Sequence, residues 1–127
     1  MDPALRDFVR ERAGHRCEYC HLPQAVEPFF TYHIEHIVAR QHGGGDDDLN
    51  LALACYDCNS HKGPNLTAFD PSTGSLVRLF QPRQDNWDEH FELNGIVIVG
   101  RTAIGRATAA SSDERLQPAA PPRDLVS

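Results

Sequence analysis

Apolar residues at Leu5, Phe8 and Val9 fall three and four apart, the spacing of one helical face, and predict a helix over 3–14. Pro3 suits a first turn and Gly14 stops the helix. The stretch AVEPFFTYHIEHIVA is rich in β-branched and aromatic residues, and predicts one or two strands broken near Pro28. The loop RQHGGGDDD follows. From Asp47 to Lys62, DDLNLALACYDCNSHK predicts a short helix opened by aspartates and interrupted in its second half. After Lys62 the character changes. GPNLTAFDPSTGSLVRLFQPR predicts a strand, a Pro/Gly turn and a strand, and DNWDEHFEL a short helix or a strand. Asn94–Gly95 is a hairpin-turn signal before the strand IVIVG, and TAIGRATAA starts a helix. From Ser111 the chain is rich in Ser, Pro and Ala, which predicts a disordered tail over 111–127. No internal repeat is evident. The pattern is α+β: a region 1–63 with an N-terminal helix, a β-rich extension 64–110 packed on it, and the tail.

The chain of 127 residues suits one ordinary domain. No apolar run approaches the roughly 20 residues that span a bilayer, and the amphipathic N-terminus lacks the apolar centre of a signal peptide. The expectation is a cytoplasmic protein with no membrane partner. A net charge of −6 argues against a nonspecific basic coat for nucleic acid. It leaves room for a local site, where a bound divalent ion offsets negative charge.

The four cysteines form two Cys-x-x-Cys pairs, Cys17 with Cys20 and Cys55 with Cys58. A cytosolic chain rarely keeps disulfides. Two such pairs predict a structural zinc ion on four thiolates, against the plainer readings of incidental pairs or a redox pair. The 34 residues between the pairs exceed the insert of a simple zinc ribbon. That insert contains YHIEHIVARQHGGG. A strand has no structural need of His33, Glu35 and His36 among its isoleucines.

A zinc clamp brings Glu35 and His36 near the segment bearing Asn50, Asn59, His61 and Lys62. Oxygen ligands such as Glu and Asn suit Mg²⁺ or Mn²⁺. A neutral histidine beside such an ion can take a proton from water. An ion that binds a phosphate and stabilises the leaving oxygen completes a phosphodiester hydrolase.

The ordered set CEYC, IEHIVARQHGG and DDLNLALACYDCNSHKG resembles the HNH endonuclease family, whose pattern is Cys-x-x-Cys, Asp/Glu-His-Ile, a Gly-Gly loop, Asn-Leu, and Cys-x-x-Cys-Asn followed by Lys. The resemblance spans Cys17 to Gly63 and implies a ββα-metal core with a four-cysteine zinc site, to which the residues beyond add a C-terminal β-hairpin. It implies a metal-dependent endonuclease acting on DNA. By the same resemblance His36 is the general base and Glu35 an acidic metal ligand. Asn50 holds the hairpin and orients the histidine. Asn59 is the second ligand of a catalytic Mg²⁺ or Mn²⁺, and Lys62 approaches a phosphate. His61 and Arg40 are further candidates for DNA contact. The downstream DPSTGSLVRLFQPRQDNWDEHF and VGRTAIGRAT resemble the extension of one bacterial branch of that family.

Each residue also has a plainer reading. His36 could be an inert core histidine. Glu35 and His36 alternate along an ideal strand and face opposite sides unless the strand bends. Asn50 could cap a turn, and Asn59 could be a turn residue of the knuckle. His33 and His42 stay open. Asp46–Asp48 reads as the solvated start of a helix, and Trp87, His90 and Phe91 as packing residues. Arg78, Arg83, Arg101 and Arg106 could meet phosphates, but Asp85, Asp88, Glu89 and Glu92 nearly cancel their charge. The competing function is a catalytically inert, zinc-stapled module that binds nucleic acid or protein. A thiol–disulfide protein is a third, weakened by the lack of a βαβ context.

Overall fold

The computed structural model describes residues 1–95, 97–111 and 116–117. Helix α1 (Pro3–Arg12) starts where the Asp2 side chain accepts from the Ala4 N–H, with Pro3 in the first turn and Arg10 and Arg12 in the last. Its apolar stripe buries Val9 fully. Arg12 then donates to the backbone carbonyls of Asp48 and Leu51, which fastens the helix to the middle of the chain.

Strand β1 (His33–His36) pairs antiparallel with β2 (Leu51–Ala54), Glu35 opposite Ala52 and His36 opposite Leu51. Helix α2 (Tyr56–Lys62) follows at once, and the Cys55 sulfur accepts from the Cys58 N–H at its start. The expected helix from Asp47 to Lys62 is thus corrected. A 3-10 turn (Asp48–Asn50) leads into a strand, and only the last seven residues are helical. All four residues of β2 are buried. One edge of β2 meets β1; on the other, the Glu18 N–H donates to Leu53 O while Leu53 N–H donates to the Glu18 carboxylate. Pairing on both edges and burial on both faces outweigh the helical propensity of Leu and Ala.

The expected strand–turn–strand forms as β3 (Thr67–Phe69) and β4 (Leu76–Arg78). DNWDEHFEL divides into α3 (Trp87–His90) and β5 (Phe91–Asn94). Strand β5 pairs antiparallel with β6 (Val97–Gly100) across the Asn94–Gly95 turn. Helix α4 (Ala103–Ala110) packs against β3, β4 and β6. Asp70, fully buried, joins the first of these hairpins to α4. It accepts two hydrogen bonds from Arg106, one from the Ser72 N–H and one from the Thr73 hydroxyl. Phe80, Phe91, Ile98 and Ala109 from this half share one apolar cluster with Val9, Tyr19, Tyr32 and the residues of β2.

Of the tail expected to be disordered, Ser111 closes α4, and Leu116–Gln117 form β7, parallel to β6. Residues 112–115 and 118–127 lie outside the described residues. Among the described residues no helix is long and apolar enough to cross a membrane.

Candidate active site and metal centre

The two Cys-x-x-Cys turns fold against each other at the ends of α1 and β2. The four sulfurs lie within 4.8 Å of one another, all buried. Cys20 Sγ and Cys55 Sγ are 3.8 Å apart, far beyond a disulfide and close to the roughly 3.8 Å edge of a sulfur tetrahedron with zinc–sulfur distances of about 2.3 Å. Backbone amides support two sulfurs, Cys20 N–H toward Cys17 at 3.5 Å and Cys58 N–H toward Cys55 at 3.4 Å. Burial pushes the Cys17 thiol well up, and the neighbouring sulfurs push Cys58 up. A divalent ion resolves this crowding by taking the sulfurs as thiolates. The quartet therefore fits the structural zinc expected from the sequence. Among the described residues no other trio of His, Cys, Asp or Glu converges in this way.

Trp87 and Tyr19 join the first knuckle to the rest. The Trp87 indole N–H donates to Tyr19 O at 2.8 Å, and its ring stacks on His21 at 3.9 Å. Tyr19, buried between the two cysteines of the first pair, donates its hydroxyl to Glu35 Oε1. The Cys-x-x-Cys spacing leaves that middle position unspecified, so the sequence did not flag it.

An open cleft of about 450 Å³ gathers His33, Glu35, His36, Arg40 and Asn59 on one surface. Within it Glu35 and His36 part company, as strand alternation requires. Glu35 is 6 % exposed. Its Oε1 takes Tyr19 and lies 3.9 Å from Lys62 Nζ. Burial holds its carboxyl above the usual range, against the opposing pull of Lys62 and Tyr19. His36 turns to the glycine loop, where its Nε2 lies 2.7 Å from Asp46 Oδ1. The same oxygen accepts from Arg40 at 2.8 Å. The His36 hydrogen bond, more than Arg40, keeps the Asp46 carboxyl below its ordinary range.

Asn50 builds that loop. Its Oδ1 accepts from the Val38 N–H at 2.8 Å, and its Nδ2 donates to Val38 O at 3.1 Å and Gly45 O at 2.9 Å. Two of these bonds hold Val38 after β1, and the third holds Gly45, the residue next to Asp46. The glycines are needed here: Gly43 sits at φ 92°, and a Cβ on Gly44 would fall 1.7 Å from Val38 O.

The remaining candidates divide. Arg40 lines the cleft and is exposed. His61 is exposed with its Nδ1 2.7 Å from Asp57 O, and does not line the cleft. Lys62, expected to approach a phosphate, lies in the interior in this structure. Its side chain is buried, its Nζ has no hydrogen-bond partner among the described residues, and its charge faces Glu35. Asp46–Asp48 starts a 3-10 turn and not an α-helix: Asp47 caps it through the Leu49 N–H, Asp48 is its first residue, and Asp46 lies against His36. The arginines of the extension are engaged internally. Arg78 pairs with Asp85, Arg83 with Glu18 and Arg106 with Asp70, while Arg101 donates to Asp88 O.

No curated protein and no solved structure matches the chain. Residues 17–65 do match a family model, described as HNH endonuclease. The matched stretch holds both knuckles, β1, the glycine loop, β2 and α2, and is similar to an HNH endonuclease domain.

Proposed function

We propose that the protein is a metal-dependent endonuclease that hydrolyses phosphodiester bonds in DNA, its β1–β2 pair and α2 serving as a ββα-metal core. The observation that carries this reading is His36 held at 2.7 Å by Asp46 inside a cleft that also exposes Arg40 and Asn59. With Asp46 ionised, His36 carries its proton on Nε2 and keeps the Nδ1 lone pair to accept a proton from water. Asn50 acts through the loop, since its bond to Gly45 O sets where Asp46 stands.

Glu35 and Asn59 offer oxygen donors to the same cleft, a set that suits Mg²⁺ or Mn²⁺. Glu35 Oε1 is taken by Tyr19, while Oε2 has no hydrogen-bond partner among the described residues. When bound, such an ion supplies charge stabilisation for the scissile phosphate and the leaving oxygen. Arg40 meets a neighbouring phosphate. The test is nicking of supercoiled plasmid with Mg²⁺, with Mn²⁺ and with neither, beside His36→Ala. Metal-dependent nicking by the wild type, lost by about a hundredfold or more in the variant, is expected of a general base. Undiminished nicking by a folded His36→Ala protein would sink the mechanism.

A further inference from the structure

The cleft does not end at β1. His33 and Ile34 line both it and a second hollow of about 340 Å³, whose other walls include Arg6, Arg10 and Thr31. Through these shared walls the two hollows adjoin at β1, and together they make up the groove between the cleft and α1. Its charge contrasts with the rest of the molecule. The chain carries a net −6, yet the groove presents Arg6, Arg10 and Arg40, the last of them also paired with Asp46. Glu35, the acidic side chain that lines it, is buried against Lys62. Arg6 and Arg10 are one helical turn apart and so share a face of α1. Arg10 is anchored by its bond to Tyr32 O at 3.2 Å, whereas Arg6 is exposed with no ion-pair partner among the described residues.

A second feature adjoins the groove at the same point. Phe30 and Tyr56 stack in parallel, 4.7 Å between centroids at 15°, and about half of each is exposed. The Tyr56 and His33 ring centroids lie 6.5 Å apart, tilted at 41°. Phe29 beside them is 84 % exposed. The backbone on either side of Thr31 is held by Gln24, whose side chain donates to Phe30 O and accepts from the Tyr32 N–H at 2.7 Å. Arginines along a groove beside an exposed aromatic face make up the recognition surface of proteins that hold a nucleic-acid strand with an unstacked base.

We propose that the substrate strand runs from α1 across β1 to His36, its phosphates on Arg6, Arg10 and Arg40, with one unpaired base stacked on the Phe30–Tyr56 ledge. This rests on the endonuclease reading and narrows its substrate to DNA that offers a single-stranded stretch.

The test is binding of a fluorescein-labelled single-stranded oligonucleotide and of its duplex, without added Mg²⁺, across a salt series. Wild type is compared with Arg6→Glu, Tyr56→Leu and Tyr56→Phe, all surface changes checked for zinc content and fold, and plasmid nicking is measured on the same samples. The expected result is tighter binding to the single strand. Arg6→Glu should flatten the salt slope by about one. Tyr56→Leu should weaken single-strand binding by at least about fivefold, what one base–ring stack contributes, and Tyr56→Phe should restore it. Equal affinity for duplex and single strand, with Tyr56→Leu and Arg6→Glu both silent, overturns the proposal while nicking by the same samples leaves the endonuclease standing. The expected binding pattern without nicking under any metal upholds the groove and removes the nuclease reading instead.

Discussion

Lys62 Nζ and Glu35 Oε1 face each other at 3.9 Å, each side chain less than a twentieth exposed. A buried pair of this kind is costly to break and contributes little when replaced whole. Glu35→Gln and Lys62→Met are each expected to destabilise the zinc-loaded protein by about 3–5 kcal/mol, because each strands a buried partner. The double variant should recover most of that loss in urea denaturation. Additive losses would mean that the two residues act independently.

The Asp46–His36 contact sets a different expectation. Asp46→Ala leaves the imidazole in place but removes what fixes its tautomer. Nicking should fall by about tenfold or more, as when a partner behind an active-site histidine is lost, and by less than in His36→Ala. Asp46 is on the surface, so the melting temperature should barely move. A large drop in stability with normal nicking would assign Asp46 to the loop and not to the reaction.

Removal of the zinc should unfold the region around the knuckles. Structural zinc contributes about 10–16 kcal/mol to a small domain at neutral pH, more than most of the 5–15 kcal/mol by which domains are stable at all. A strong chelator, or Cys58→Ala, is therefore expected to abolish the cooperative melt, followed by circular dichroism. A chelated protein with an unchanged melt would show that the sulfurs pack without an ion.

Asp70 predicts the acid limb of stability. Arg106, before its other partners, holds its carboxyl well below the usual carboxylate range. A carboxylate depressed in the folded state stabilises the fold above its unfolded pKa of about 4, and that stability is lost as pH falls toward the folded value. Asp70→Asn should thus be clearly less stable than wild type at pH 7. The gap in urea midpoint should close as pH drops below 4. A constant gap across that range would place the effect in packing and not in charge.

Much of the fold was legible from short-range pattern. The stripe Leu5, Phe8, Val9 located α1, the paired cysteines located the knuckles, and Asn94–Gly95 located the β5–β6 turn. Strand β2 was not, because Leu-Ala-Leu-Ala has no period that distinguishes helix from strand, and its partners lie in β1 and at Glu18. In the cleft, residue identities pointed to Glu35, His36, Arg40 and Asn59, all of which line it. Asp46 was hidden in an acidic run, since nothing local in GGGDDD names a partner ten residues back. Lys62 shows a related limit of short-range pattern: the motif fixes its type, and only the tertiary packing places its charge against Glu35.

The bond from the Trp87 indole to Tyr19 O has a practical consequence. Trp87 is the only tryptophan in the chain, and it stacks on His21, directly after Cys20 of the first knuckle. The molecule therefore carries a native optical reporter at its metal knuckle. Its emission registers the state of the first Cys-x-x-Cys turn, and so can time the loss of the clamp against the loss of the fold, with no dye attached.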